Sequence, residues 1–284
     1  MTAKSSTGRL VAYLLLVIGS VAFLFPLVWM ISTSLKPIEE TMRVPPVWIP
    51  STIQWRNYAD AVTYGSDKLG YIPFLRYAVN TLYLAILGVI GTVLSNALVA
   101  YGFARINWKG RDIVFAIALA TMMVPFPVTM VAVFAIFREL GWIGTFRPLW
   151  VPAFLGSAFN IFLLRQFFLS IPRELSDAAR IDGCSELGIF RHVVLPLSKP
   201  ALAVVALFHF LYVWNDFLGP LIYLTDQKMF TLSLGLQFYQ SQHGGTEWHM
   251  LMAASSIVVL PLIVLFFFTQ RQFIQGITMT GLKG

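Results

Sequence analysis

Six apolar blocks, separated by more polar segments, set the outline of the chain: residues 10–32, 77–101, 113–137, 149–169, 201–224 and 250–269. A hydrocarbon core roughly 30 Å thick is crossed by about 20 helical residues, so each block is long enough to span once. Lipid offers the backbone no hydrogen-bond partners, and each span is therefore expected to be a helix. The first block follows Lys4 and Arg9, exceeds the apolar core of a secretory leader and has no small-residue cleavage site at its end. It is expected to remain as the first helix.

Prolines punctuate this pattern. Pro26, Pro125, Pro127, Pro152, Pro220 and Pro261 fall within or at the ends of the blocks, and each removes one helix hydrogen bond. Proline is common in membrane helices, so the expectation is that these are tolerated within continuous spans, with a hinge at 122–127 as the alternative. Between the first two blocks, residues 33–76 include Val44-Pro45-Pro46-Val47-Trp48-Ile49-Pro50, which predicts extended backbone and turns, with Trp48 and Trp55 at the interface.

Composition agrees with the pattern. Of 284 residues 57% are hydrophobic and 12% charged, against about 25% charged in an ordinary soluble domain. A soluble fold has no way to hide that much apolar surface, and the length leaves room for one membrane domain. The net charge of +7 is spread thinly between apolar blocks, which argues against nucleic acid and for membrane orientation. Arg105, Lys109 and Arg111 crowd one short turn, which places that turn and both termini on the cytoplasmic side. Cys184 is the one cysteine, so no intramolecular disulfide forms, and the four histidines have no ligand spacing. The chain lacks a G-x-x-x-x-G-K-[ST] phosphate loop, so ATP is not expected to bind it in the usual way.

The segment between the fourth and fifth blocks, residues 173–196, reads as two short helices. Pro172 suits a helix start, Glu174 favours its positive end, and Gly183 suits a left-handed stop. Ser185 with Glu186 restarts a helix that Pro196 should end. Three-and-four spacing puts Leu175, Ala178 and Ala179 on one face of the first helix, a surface for close approach. Leu187, Phe190 and Val194 form a stripe on the second, suited to lying against the membrane domain.

Asp177-Ala178-Ala179, Gly183 after a three-residue gap, and Leu195-Pro196 at their distance resemble the Glu-Ala-Ala loop of binding-protein-dependent ABC importer permeases. The run from Asp177 through Arg180 and Asp182 to Gly183 resembles the carbohydrate-uptake branch, and the order of spans resembles the second permease of the maltose type. The resemblance implies an all-α integral membrane protein with about six transmembrane helices and the type I importer permease fold. It implies a coupling helix that sits in a cleft of a separate ATPase, which binds the ATP and magnesium. The implied partners are that ATPase as a homodimer, a second homologous permease, an extracytoplasmic substrate-binding protein and the bilayer of a bacterial cytoplasmic membrane. One departure stands out: the family usually has Glu where this chain has Asp177, one methylene shorter. Against the coupling role stands an amphipathic loop resting on the membrane surface.

Three further segments are candidates. Tyr212, Trp214, Asn215 and Asp216 lie in the fifth block, and an acid in apolar sequence usually faces a cavity or a partner; interfacial anchoring is the alternative. Asn80, Asn96, Asn160 and His209 are expected to join helices. Gln242, His243, Gly244 and Gly245 form the tip of a polar outer loop, which by resemblance reaches into the binding protein, or else is a solvated connector. Gln270-Arg271, Gly276 and the terminal Gly281-Leu282-Lys283-Gly284 look like the family's tail, which in the maltose-type relative enters the ATPase dimer interface; a frayed basic end is the alternative. The expected division is 1–72 for the first helix and outer loop, 73–272 for the transmembrane domain and 273–284 for the tail. The function expected is sugar translocation, with glycerol-phosphate-type esters or secondary transport as alternatives.

Overall fold

The structure is a computed structural model that describes residues 6–240 and 245–281, with side chains for 8–240 and 245–270. Every regular element among the described residues is a helix. Four helices are long and apolar enough to cross a membrane unaided: Gly8–Ser34, Pro73–Ala104, Arg147–Ser170 and Trp248–Gln270. Two bent pairs are long and apolar enough together, Arg111–Met123 with Phe126–Glu139 and Glu186–Leu197 with Lys199–Asn215, and bring the count to six where each pair is one span.

The bends correct the expectation that prolines are absorbed into continuous spans. The pair at 111–139 turns by 100°. Pro125 crowds the residue before it out of helical geometry, and Val124 is extended at φ −84°, ψ 112°. Pro127 then occupies the first turn of the next helix, where its missing N–H costs nothing. The block 201–224 is also not one helix. It ends at Asn215, Asp216 is extended, and a short helix Leu218–Tyr223 follows.

Two compact units divide the chain, one running up to Leu75 and including Leu236–Pro261, the other built from Arg76–Gly235 and continued from Leu262. In the first unit, the span Gly8–Ser34 buries none of its apolar window within the chain. The outer loop is tied to its end. Lys36 is fully buried, donating from Nζ to Thr33 Oγ1 at 3.1 Å and lying 3.7 Å over the Trp29 ring. Asn57 Nδ2 donates to the carbonyls of Ser34 and Lys36, both at 2.9 Å. The proline-rich stretch is irregular as expected, and its Trp48 packs on Phe25 and Trp29 at 4.9 and 4.7 Å.

In the second unit, the helix Pro73–Ala104 carries the core. Ala97, Ala100 and Ala104 share one face, and Ile161, Leu164, Phe168, Ile189 and Val194 pack in the same buried cluster. Small side chains at three-and-four spacing let neighbouring helices approach closely. Non-helical backbone at membrane depth is satisfied by polar side chains of this helix. Where the span Arg147–Ser170 breaks at Gly156, Asn96 Oδ1 accepts from Ser157 N at 2.7 Å and Ser95 Oγ donates to Ala153 O at 3.0 Å. Asn80 Nδ2 donates to the carbonyls of Lys228 and Phe230 at 2.9 Å each, and Thr81 Oγ1 accepts from Leu232 N. Asn80 and Asn96 thus do the joining expected of them.

Candidate functional site

The loop between the fourth and fifth spans folds into two helices, Arg173–Ile181 and Glu186–Leu197. The first begins after Pro172 and closes on Gly183, whose φ of +82° is the left-handed stop its sequence called for. Gly183 N donates to Arg180 O and Cys184 N to Ala179 O, at 3.0 and 2.9 Å, which satisfies two end carbonyls. A Cβ on Gly183 would meet no atom within 4 Å, so the glycine is required by backbone angle and not by space. Ser185 caps the second helix by accepting from Gly188 N at 3.2 Å.

The second helix does not end at Pro196 as expected. It widens to a π turn over Phe190–Val194, returns to α geometry over Leu195–Leu197 and stops at Ser198, before the 78° bend into Lys199–Asn215. Pro196 sits in the first turn of that short α segment, where a backbone N–H has no intrahelical partner to lose.

Burial also redraws the two faces. Ser176 and Ala179 turn inward, and Ile189, Phe190 and Val194 are buried in the core. Leu175, Ala178 and Ile181 are exposed, with Ile181 87% exposed, and Leu187 of the second helix is 67% exposed. Ala179 therefore seats the helix on this chain, while the outward apolar face is Leu175, Ala178, Ile181 and Leu187. Spacing alone grouped Ala179 with Leu175 because an amphipathic wheel shows that two apolar arcs exist but not which arc the membrane domain covers.

A charged network fixes the corner between the helices. Arg180 reaches Asp177 Oδ1 from Nη1 at 2.7 Å and Glu186 Oε1 from Nη2 at 2.9 Å. Glu186 Oε2 accepts from Tyr101 Oη of the second span at 2.7 Å. Hydrogen bonding to Glu186 stabilises the Arg180 guanidinium and raises its pKa. The Asp177 carboxylate is thus engaged within the loop, at a reach its short side chain allows. Tyr101, Arg105 and Glu186 are functional neighbours that the motif did not name, although Tyr101 and Arg105 stand one helical turn apart at the polar end of the second block. Asp182 and Leu195 complete the motif, the first exposed and the second half-buried.

The fifth-span candidates separate. Trp214 is buried and stacks on Phe210 at 5.2 Å between ring centres. Tyr212 is 66% exposed, and Asn215 is exposed with its Nδ2 donating to Leu211 O at 2.8 Å. Asp216 Oδ1 accepts from Gly219 N at 3.0 Å, which caps the helix Leu218–Tyr223. Of the outer-loop residues, Gln242, His243 and Gly244 lie outside the described residues, and Gly245 has a φ of +111°. The last helix runs on to Gly281, and Leu282, Lys283 and Gly284 lie outside the described residues.

Residues 96–279 match the model of the binding-protein-dependent transport system inner membrane component, a stretch that contains the whole loop and both bent pairs. The chain belongs to this family. It is a membrane-embedded permease subunit of an importer whose ATPase is a separate chain, and not itself an enzyme. The permease is 35% identical over 281 residues to the arabinooligosaccharide transport permease AraQ of Bacillus subtilis, covering 98% of this chain and 97% of that one. It is 32% identical over 276 residues to the trehalose/maltose transport permease MalG of Thermococcus litoralis, covering 95% and 97%. Its fold matches, with a TM-score of 0.81 at 24% identity over 95% of the permease and 99% of the other chain, that of a bacterial ABC transporter involved in import of the acidic polysaccharide alginate. The all-α permease fold expected from the sequence is the fold found.

Proposed function

We propose that this permease moves a sugar, an oligosaccharide or glycoside, across a bacterial cytoplasmic membrane, and that the helix Arg173–Ile181 couples the movement to an ATPase homodimer. The observation that carries this reading is the outward apolar face of Leu175, Ala178, Ile181 and Leu187 on a loop whose inner face is locked into the core. Such a rigidly seated, unpartnered apolar surface suits a hydrophobic cleft in another subunit. Asp177, Arg180, Asp182 and Gly183 shape its edge, and Leu195 and Pro196 carry the following turn toward the fifth span. Both termini then lie on the cytoplasmic side with the loop. The sugar reading is supported by what the two similar permeases are named for.

The span Gly8–Ser34, whose apolar window is left unburied by the described residues, leaves surface for lipid and for a second, homologous permease. Tyr212, Asn215 and Asp216 line the path on this reading, with Trp214 packed behind them, and Gln242 to Gly245 meet the substrate-binding protein. Residues 1–72, 73–272 and 273–284 are the first helix with its outer loop, the transmembrane domain and the tail. ATP and magnesium belong to the ATPase, and the permease itself takes neither.

The test is ATP-driven uptake of labelled oligosaccharides into proteoliposomes holding all subunits. Ile181→Asp puts a charge on the docking face without disturbing a buried contact, so uptake should fall about tenfold or more while the permease melts unchanged. Undiminished uptake with Ile181→Asp would sink the coupling assignment. Uptake of no sugar by the unaltered complex would sink the substrate class.

A further inference from the structure

Behind the corner of the loop lies a cavity of about 350 Å³, whose charged and hydroxyl lining is Arg105, Arg173, Ser176, Asp177, Arg180 and Glu186. It opens where the second span has just ended at Ala104 and where Arg173 begins the helix after the fourth span. A water molecule takes about 30 Å³ of liquid, so this space has room for a small polyatomic ligand.

The polar groups around it divide unequally. Three guanidinium groups, Arg105, Arg173 and Arg180, face two carboxylates, Asp177 and Glu186, and both carboxylates are spent on Arg180. Arg173 meets no carboxylate within ion-pair distance among the described residues. Ser176 is 3% exposed, yet its Oγ has no hydrogen-bond partner among the described residues, and the same holds for the buried Nε of Arg105. The Nη2 of Arg105 is used, donating to Ile171 O. Burial first and then the nearby charge of Arg173 push the pKa of Arg105 down, the charge of Asp177 opposing them in part.

A buried donor without an acceptor is rare in folded proteins, and two beside an uncompensated positive charge call for a ligand that only accepts. The geometry points to a phosphate-type oxyanion held between Arg105, Arg173 and Ser176. Guanidinium groups match the oxygens of phosphate in pairs, and a serine hydroxyl fills a third direction. The anion is either free phosphate or the headgroup of an acidic phospholipid, since basic pockets where spans end take such headgroups. Bound there, it bridges the loop helix to the end of the second span. Asp177 and Arg180 border both this cavity and the docking face, but the site does not rest on the proposal that the loop couples to an ATPase.

The experiment uses the full-length permease in nanodiscs, with its partner subunits where they purify together. In one arm, discs of phosphatidylcholine alone are titrated with inorganic phosphate at constant ionic strength. In the other, discs mix phosphatidylcholine with phosphatidylglycerol, and retained phosphatidylglycerol is counted by native mass spectrometry. Saturable binding is expected in one arm, weakened about tenfold by Arg173→Gln and by Ser176→Ala. Arg173 is exposed and holds no other side chain, so its replacement should leave the melting temperature unchanged. Lys109→Gln removes a charge from the nearby turn without lining the cavity, and binding should survive it. Binding in the phosphate arm assigns a soluble anion, and binding in the phosphatidylglycerol arm alone assigns a lipid. Absence of saturable binding in both arms overturns the site. Equal weakening by Lys109→Gln, which would mark general attraction to positive charge, overturns it too.

Discussion

At the scale of single residues, Gly183 and Asp177 divide the work of the loop between backbone and charge. Gly183 holds φ +82° with open space around it, so Gly183→Ala should cost about 1 kcal/mol of stability from backbone strain alone. Gly183→Trp adds bulk at the docking corner and should reduce uptake further at a similar melting temperature, a separation that parallel melting and transport assays measure. Asp177 shares Arg180 with Glu186 at the surface, so Asp177→Ala should shift stability by less than about 1 kcal/mol. Tyr101→Phe removes the hydroxyl that links this network to the second span, and about 1 kcal/mol is the expected loss in denaturant midpoint experiments. The sequence pattern made Gly183 legible, because only a few residue types tolerate a left-handed stop. It did not reveal that Asp177 is held by Arg180, since that contact depends on the angle between two helices.

At the scale of elements, the spans were legible as apolar blocks and their breaks were not. The end of the fifth helix at Asn215 and the break at Gly156 both use neighbours that supply hydrogen bonds to freed backbone groups, Ser233 Oγ donating to Asn215 O at the first. Asn96 is one such neighbour, and nothing in its local sequence shows that Ser157 N will point at it. Asn96→Leu should leave that N–H without its partner within a span and destabilise the permease by about 1–3 kcal/mol, read as a lowered melting temperature in detergent. Asp216 caps the short helix after the fifth span. Asp216→Ala should therefore cost about 1 kcal/mol, whereas Asp216→Asn keeps the accepting oxygen and should restore most of it. If Asp216→Asn lowers uptake while stability is retained, the carboxylate also serves the path.

At the scale of the whole molecule, one apolar surface is locked to the chain's own core and another is left uncovered. Ser176, Ala179, Ile189 and Val194 seat the loop, and Leu175, Ala178, Ile181 and Leu187 face away from it. A membrane protein that docks a soluble motor needs this division, because force reaches the spans only through a loop that does not slide on them. The motif was readable in the sequence because its spacing is specific; which arc faces outward required the packed fold. Cys184, the only cysteine of the chain, lies exposed directly after Gly183 at the corner of this surface. Its labelling by a membrane-impermeant maleimide therefore probes the central claim without any mutation. In the permease alone labelling should be rapid from the cytoplasmic side, and in the complex with its ATPase it should slow about tenfold or more, because the thiolate reacts only where solvent reaches it. Equal labelling rates with and without the ATPase, or labelling from the outer side, would contradict the assignment of this loop as the coupling site.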